Sequence, residues 1–273
     1  MPLGNQDRAA LQLEINMNTR RIGTWILSLF LVAAFVAVSA GAVSVAPDSP
    51  ADFPVEFSDC VESIGVTLVS TESARAYVPA GFILVGEGQP VTPLVVRTAS
   101  CRGIAVDGHE SKTGKIIQIG LVIVPPDGTG DINNYTLWYY SSDARLTTQL
   151  NKTSVGAQLV PTIDYDFDPA VNSLLVMVPM PGSPRFAFSG AVQPSAFPAG
   201  SFLANWWRRT EAGDVKMSTN VPVINIGGAG LTLTTDPGGP LGQLLGGGST
   251  GFPLLQQFNS FGSAHMEVSI VSQ

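Results

Sequence analysis

His109 and Glu110 are adjacent in the polar segment DGHESKTGK, residues 107–115. A histidine beside a carboxylate can exchange protons near neutral pH, as general acid–base catalysis requires. A loop of this composition is also typical of a solvated turn with no catalytic role. We therefore regard His109 and Glu110 as candidate catalytic residues, with the solvated turn as the alternative.

Ser249 lies at the centre of a G-x-S-x-G pattern, Gly247–Gly251. A hydrolase nucleophile in this pattern needs a strand that leads into a helix, followed along the chain by an acid and then a histidine. Here a glycine-rich loop precedes the serine, and His265 comes before Glu267. The pattern favours a chance match in a chain with 29 glycines.

Metal-ligand residues are present but lack the spacing of a site. A zinc centre needs three or four close ligands, whereas Cys60, Cys101, His109 and His265 are scattered along the chain. The alternating aspartates of residues 164–168 share one strand face and are typical of a solvated surface. We predict neither a metal nor a cofactor.

The charge balance excludes nucleic acid as a partner. The chain has 14 basic and 21 acidic residues, whereas phosphate-backbone binding needs a clustered Lys/Arg footprint. About 45% of the residues are apolar and 13% are charged, which is enough apolar material for a large core.

An export signal is predicted near the N-terminus. Arg20 and Arg21 precede an apolar run at residues 22–46, and the small residues 40–42 form a cleavage pattern. The alternative is an uncleaved anchor, because about 20 apolar residues suffice to span a bilayer. The chain is then secreted or periplasmic, or membrane-anchored if the signal stays, and this segment is its only predicted membrane contact.

These features divide the chain into three parts. Residues 1–42 are the signal peptide or anchor, 43–58 a Pro/Asp-rich leader, and 59–273 a single β domain. Both cysteines fall in the exported part. In an oxidising compartment an even count favours a Cys60–Cys101 disulfide, and two buried free thiols are the alternative.

Strand patterns recur at regular spacing through the domain. Residues 116–124 form the most apolar run; a Pro-Pro-Asp-Gly turn follows, and residues 134–141 predict the antiparallel neighbour. Residues 200–207 favour a short helix or loop. The whole pattern predicts a mainly β fold with short helices, either a barrel or a sandwich.

The run Trp206–Arg209 has two interpretations. Adjacent tryptophans and arginines can form an exposed aromatic–cation patch that recognises a ligand or partner. Alternatively, a tryptophan belongs to the core and the arginines are in water.

Several segments occur in an order that resembles a known family. They are the strand, Thr-acid pair, Ala-Arg and Val-Pro of Val66–Pro79, the hairpin Ile116–Tyr140, the helix entry Ser142-Asp143 and the corner at Gly156. This order resembles the acetoacetate decarboxylase superfamily over residues 60–271. The resemblance implies an antiparallel β barrel or double-sheet barrel around an internal cavity.

The residues that carry the family's chemistry are replaced. The family forms a Schiff base on a lysine of low pKa, and the corner that would read Pro-Lys-Lys reads Ala157-Gln158-Leu159 here. Ser70 stands where the family has a substrate-facing arginine before its Thr-acid pair, Thr71-Glu72. The resemblance implies a barrel whose decarboxylase chemistry is lost or altered.

Our first hypothesis is an exported β-barrel protein that binds a small organic or lipid-like molecule near Ser70, Trp138, Tyr140 and Gln158. One alternative is a lyase or hydrolase of the superfamily that acts through Gln158, Glu72, His109 or Glu110. Another is a structural envelope protein without a ligand. The apolar, glycine-rich C-terminal third suits either a homo-oligomer interface or a core.

Overall fold

The computed structural model describes residues 52–109, 113–178 and 186–271. In chain order the elements are β1 (Phe53–Ser70), α1 (Thr71–Arg75), β2 (Val91–Val106), β3 (Gly114–Val122), β4 (Ile132–Ser141), α2 (Ala144–Lys152), β5 (Gln158–Leu159), β6 (Asp164–Asp168), β7 (Ser173–Met177), β8 (Phe186–Gln193), β9 (Pro198–Thr210), β10 (Gly213–Thr235), α3 (Pro240–Leu245), β11 (Ser249–Gly251) and β12 (Leu255–Val271).

The described strands close into a ring. Hydrogen-bonded neighbours follow the order β12, β1, β2, β3, β4, β9, β10. Strand β10 also pairs with β12, and this pair closes the ring. Within this ring of seven strands the pairs are antiparallel, except that β4 and β9 run parallel. The predicted fold class, a mainly β barrel with short helices, is confirmed.

Strand β10 belongs to two parts of the sheet because it is 23 residues long. Its first half pairs with β9 and β12, and from Gly228 to Thr235 it pairs with β8. Strands β8, β7 and β6 continue from there as an antiparallel extension. We call these three strands and the second half of β10 the side sheet.

Side-chain alternation along β1 separates the inner face of the ring from its outer face. Val55 is buried whereas Glu56 is exposed. At Asp59 the backbone has a positive φ of 47°, and beyond it the alternation shifts by one residue. Cys60 therefore shares the inner face and the hydrophobic core of Val55, while Val61 packs on the other face.

The inner side chains form one hydrophobic core, which we call the lumen core. Every strand of the ring contributes to it, and α2 adds two leucines. Large members are Phe57, Ile104, Ile116, Tyr139, Trp206, Met217, Phe261 and Met266.

A second hydrophobic core, the outer core, lies between the outer face of the ring and the elements packed on it. Those elements are the side sheet, α1, α3 and the segment 76–90. Large members are Leu94, Ile117, Ile119, Tyr140, Phe188, Trp207, Phe252 and Phe258.

The prediction of a helix or loop at residues 200–207 is wrong, because this segment is part of β9. Successive strand residues point to opposite faces, so Trp206 enters the lumen core and Trp207 the outer core. Their exposed fractions are 2% and 1%. An exposed aromatic patch at these tryptophans is therefore also wrong, and both rings belong to the cores.

The sheet begins earlier than predicted. Strand β1 starts at Phe53, within the predicted leader 43–58, because Phe53, Val55 and Phe57 alternate with Pro54, Glu56 and Ser58 and so turn one apolar face to the core. The predicted signal, residues 1–42, lies outside the described residues. In the three described stretches no helix combines the length and the hydropathy of a membrane span.

The predicted disulfide is confirmed. Cys60 and Cys101 stand directly opposite each other in the β1–β2 pair, with an S–S distance of 2.03 Å and Cα atoms 4.0 Å apart. The bond joins residues 41 apart in sequence and lies against the lumen core.

We expect the double variant Cys60→Ser/Cys101→Ser to lose about 4 kcal/mol of unfolding free energy, because the cross-link restricts the unfolded chain. Urea denaturation of the oxidised protein and the variant measures the difference. Reductant should lower the stability of the parent protein and leave that of the variant unchanged. Equal stability of parent and variant would contradict the prediction.

Candidate ligand-binding site in the barrel lumen

Four polar side chains from neighbouring strands meet on the inner face of the ring. Arg97 donates from Nε to Glu62 Oε2 over 2.8 Å and from Nη1 to Gln118 Oε1 over 2.6 Å. Asn259 donates from Nδ2 to Glu62 Oε1 over 3.1 Å. We call Glu62, Arg97, Gln118 and Asn259 the polar row.

The strand register brings the polar row together. Glu62 on β1 stands opposite Asn259 on β12, and Arg97 on β2 stands opposite Gln118 on β3. Directly opposed residues of an antiparallel pair lie on the same face. Gln118 is flanked by two isoleucines of the outer core, so its own side chain is on the inner face.

Both charges of the polar row are taken out of water. The side chain of Glu62 is 4% exposed and that of Arg97 is 12% exposed. An unpaired buried charge costs several kcal/mol, and here both carboxylate oxygens of Glu62 accept hydrogen bonds. The row is therefore a compensated ion pair inside an apolar barrel.

Tyr139 extends the polar row onto β4, where it stands opposite Gln118. Burial raises the pKa of the Tyr139 hydroxyl well above its ordinary value, and the positive charge of Arg97 opposes that rise. The phenol therefore stays protonated at neutral pH and can act as a hydrogen-bond donor.

Two buried amide oxygens on the inner face have no partner among the described residues. They are Oδ1 of Asn259 and Oδ1 of Asn134. Asn134 lies between Asn133, whose Oδ1 accepts from Trp207 Nε1, and Tyr135, and both neighbours face the outer core. A buried acceptor without a donor costs about 1–3 kcal/mol, so a donor brought to either oxygen is favourable.

Helix α2 covers one end of the lumen. It follows β4 directly, and Asp143 caps it by accepting a hydrogen bond from Leu146 N over 2.7 Å. Leu146 and Leu150 then pack into the lumen core.

The opposite end, where β3 ends and β4 begins, is lined by aliphatic and aromatic side chains that are only partly buried. Ile226 is 39% exposed and stands opposite Asn259 of the polar row. We call this end the mouth and define it by Ile64, Val122, Ile132, Phe202 and Ile226.

The predicted ligand residues Trp138, Tyr140 and Gln158 lie on the other side of the barrel wall. Tyr140 is fully buried in the outer core, and Gln158 pairs with it through the β4–β5 bridge. The Trp138 ring packs against Tyr77 with centroids 6.0 Å apart. The structure thus brings these three predicted residues close together, outside the lumen.

The predicted Ser70 and Glu72 lie at one end of the β1–β2 pair, and His109 lies at the other. Ser70 Oγ caps α1 by accepting from Ser73 N over 3.3 Å, and Glu72 is exposed in the first turn. His109 is exposed in a turn held by backbone bonds to Val106.

Two of the described candidate catalytic residues, Glu72 and His109, therefore share no site. Glu72 is separated from His109 by the length of the β1–β2 pair, and Gln158 lies with the outer core. The remaining candidate, Glu110, lies outside the described residues.

Lysine is absent from the described part of the lumen. Lys115 donates to the Ile163 carbonyl over 2.8 Å on the outer face, Lys152 is exposed at the end of α2, and Lys216 donates to Thr129 Oγ1 over 2.8 Å. A Schiff base needs an amine inside the site, so the described lumen lacks that chemistry.

Two open clefts lie outside the lumen. One of about 560 Å³ is on the side sheet, with Ile163 and Phe186 among its walls, and one of about 500 Å³ lies between Thr67 and Phe252. Neither is lined by the polar row or by a predicted catalytic or ligand-binding residue.

Solved structures match this fold. An acetoacetate decarboxylase superposes with a TM-score of 0.53 at 9% identity, over 80% of this chain and 89% of its own. The acetoacetate decarboxylase from Legionella pneumophila also gives a TM-score of 0.53 at 9% identity, over 87% of this chain and 98% of its own. No family model and no curated protein sequence matches the chain.

The protein has the acetoacetate decarboxylase-like fold, as the sequence resemblance predicted. Identity of 9% shows the fold alone, so the residues of the lumen must define the site.

Sequence reasoning missed the polar row. Each member is a single polar residue within an apolar strand, as Arg97 in LVVRTA and Gln118 in IIQIG. The charge of Arg97 in the middle of an apolar strand was the signal that could have indicated the site, because a buried charge requires a partner.

We expect Glu62→Ala to lower the unfolding free energy by about 3–5 kcal/mol, since it leaves the buried guanidinium of Arg97 uncompensated. The double variant Glu62→Leu/Arg97→Met should recover much of the loss because it removes both charges. Urea denaturation measures both.

Glu56→Ala is the matched control on the same strand. Glu56 pairs with His265 on the exposed outer face, where ion pairs contribute about 0–1 kcal/mol. A similar cost for Glu56→Ala and Glu62→Ala would contradict the special role of the polar row.

Proposed function

We propose that this protein is an exported β-barrel protein that binds a small organic or lipid-like molecule in its lumen, without Schiff-base chemistry. The observation that carries the proposal is the contrast along the lumen: a partly exposed apolar mouth adjoins a buried polar row. A pocket with apolar walls and a few fixed polar groups is the usual form of a small-molecule site.

The mouth supports entry of an apolar group. Ile226 is 39% exposed, and Ile64, Val122, Ile132 and Phe202 are partly buried against the lumen core. Covering such side chains releases about 25 cal/mol per Å² of apolar surface. An apolar part of a ligand is therefore stabilised at the mouth.

The polar row supports orientation of the ligand. Its ion pair joins Glu62 on β1 to Arg97 on β2, and side-chain hydrogen bonds with Gln118 on β3 and Asn259 on β12 hold both charges in place. The geometry of the pair is therefore fixed before a ligand arrives. Preorganised polar groups lower the entropy cost of binding. The Arg97 side chain is 12% exposed and that of Glu62 is 4% exposed, so Arg97 is the more accessible of the two charges.

Two features support export. The sequence carries the Arg20-Arg21 and apolar pattern of a signal peptide. The Cys60–Cys101 disulfide is of a kind that persists in oxidising compartments.

Binding of a neutral apolar fluorophore, N-phenyl-1-naphthylamine, to the protein and its variants tests for a site at the mouth. We expect Ile226→Glu to weaken its binding by about tenfold or more, because a carboxylate at the mouth must lose water when the fluorophore binds. Val223→Glu is the matched control, since Val223 is 55% exposed on the same strand and lies within the register shift between Val221 and Ile224.

Equal weakening by both variants, or no binding by the parent protein, would remove the support for a lumen site. The second outcome would favour the structural envelope protein.

Sodium borohydride in the presence of acetoacetate or pyruvate tests the absence of Schiff-base chemistry. We expect no mass increase on any lysine, because the described lysines lie outside the lumen and an imine needs an amine within the site. Intact-protein and peptide mass spectrometry gives the readout, and a specific lysine adduct would overturn this part of the proposal.

A further inference from the structure

We infer that the lumen selects a neutral amphiphile that carries hydrogen-bond donors, such as hydroxyl groups, over a carboxylate. This inference rests on the proposed lumen site and specifies the chemical class of its ligand. Three observations carry it: the neutralised charge of Arg97, the fixed orientation of the Asn259 amide, and the unpartnered oxygen of Asn134.

The charge of Arg97 is already matched. Glu62 accepts from Arg97 Nε over 2.8 Å, and its side chain is 4% exposed. A ligand carboxylate near this guanidinium would also lie near the buried carboxylate of Glu62, and like charges repel strongly where water is excluded. The ion pair therefore offers no net positive charge to an anion.

The amide of Asn259 presents its oxygen. Its Nδ2 donates to Glu62 Oε1 over 3.1 Å, and the reverse orientation would set two oxygens against each other. Oδ1 is thus fixed away from Glu62, buried, and without a partner among the described residues. A carbonyl oxygen accepts and cannot donate, so a matching ligand group must be a donor.

Asn134 adds a second acceptor from another part of the ring. It is 1% exposed, and its Oδ1 lacks a partner in the described chain. In register it stands opposite Val122 of the mouth and beside Trp206 of the lumen core. The oxygen therefore has mainly apolar surroundings, in which an added hydrogen bond is stronger than in water.

Both acceptors lie just inside the mouth. Asn259 stands opposite Ile226, and Asn134 stands opposite Val122. A ligand that places hydroxyl groups at these oxygens has its hydrocarbon part among the side chains of the mouth. This arrangement matches a neutral amphiphile with two or more hydroxyls.

Three ligands with the same eight-carbon chain test the inference on the full-length protein: 1-O-octylglycerol, octyl methyl ether and sodium octanoate. The first has two hydroxyl donors, the second has none, and the third is an anion. We expect octylglycerol to displace N-phenyl-1-naphthylamine at a concentration about tenfold lower than either of the others.

Asn259→Leu and Asn134→Leu should each reduce that preference to within about threefold, because the donor then meets an apolar side chain. Asn225→Leu is the matched control, since Asn225 is on β10 beside the mouth but faces outward and bonds Ser260. Circular dichroism melts identify any variant that fails to fold, and the two lumen variants serve as independent checks on each other.

The outcomes separate the inference from the proposed function. Preference for octanoate, or a preference for octylglycerol that both lumen variants retain, overturns the inference while lumen binding stands. Displacement of the bound fluorophore by none of the three ligands overturns the inference alone, whereas failure of the parent protein to bind the fluorophore overturns the proposed function together with it. Loss of the preference in Asn225→Leu as well would also count against the inference.

Discussion

The pairing of β10 with β12 is the constraint on which the rest of the structure depends. It turns an open sheet into a ring of seven strands and thereby creates an inside. Closure removes the edges that an open sheet would expose. It also gives every strand two different environments, since one face meets the lumen core and the other meets water or the side sheet.

Ring closure explains the position of the charges. A guanidinium and a carboxylate on the inner face cannot reach bulk water by turning outward, so Arg97 and Glu62 must satisfy each other. Gln118 and Asn259 complete the arrangement from the two flanking strands. The amide oxygens of Asn134 and Asn259, which have no partner among the described residues, are further polar groups on this inner face.

The fold is that of the acetoacetate decarboxylases, whereas the described lumen lacks the lysine amine that Schiff-base chemistry requires. Structural similarity to the acetoacetate decarboxylases extends over 80–87% of the chain, so the scaffold is the same. The corner at Ala157-Gln158-Leu159 supplies no lysine, and each described lysine is engaged or exposed elsewhere. A barrel can keep its architecture while individual side chains change, because architecture depends on alternation and site chemistry depends on single residues.

The sequence by itself determined the mainly β class, the β3–β4 hairpin and the short capped helices, because these follow from local alternation and turn residues. It favoured the Cys60–Cys101 pairing through the cysteine count, and the strand register decided it. It could not determine that Trp206 and Trp207 separate into two cores, since that depends on β9 joining the ring. Nor could it bring together Glu62, Arg97, Gln118 and Asn259, which are up to 197 residues apart. Only the tertiary structure brings these four side chains together, because the pairing of strands from distant segments sets which side chains share a face.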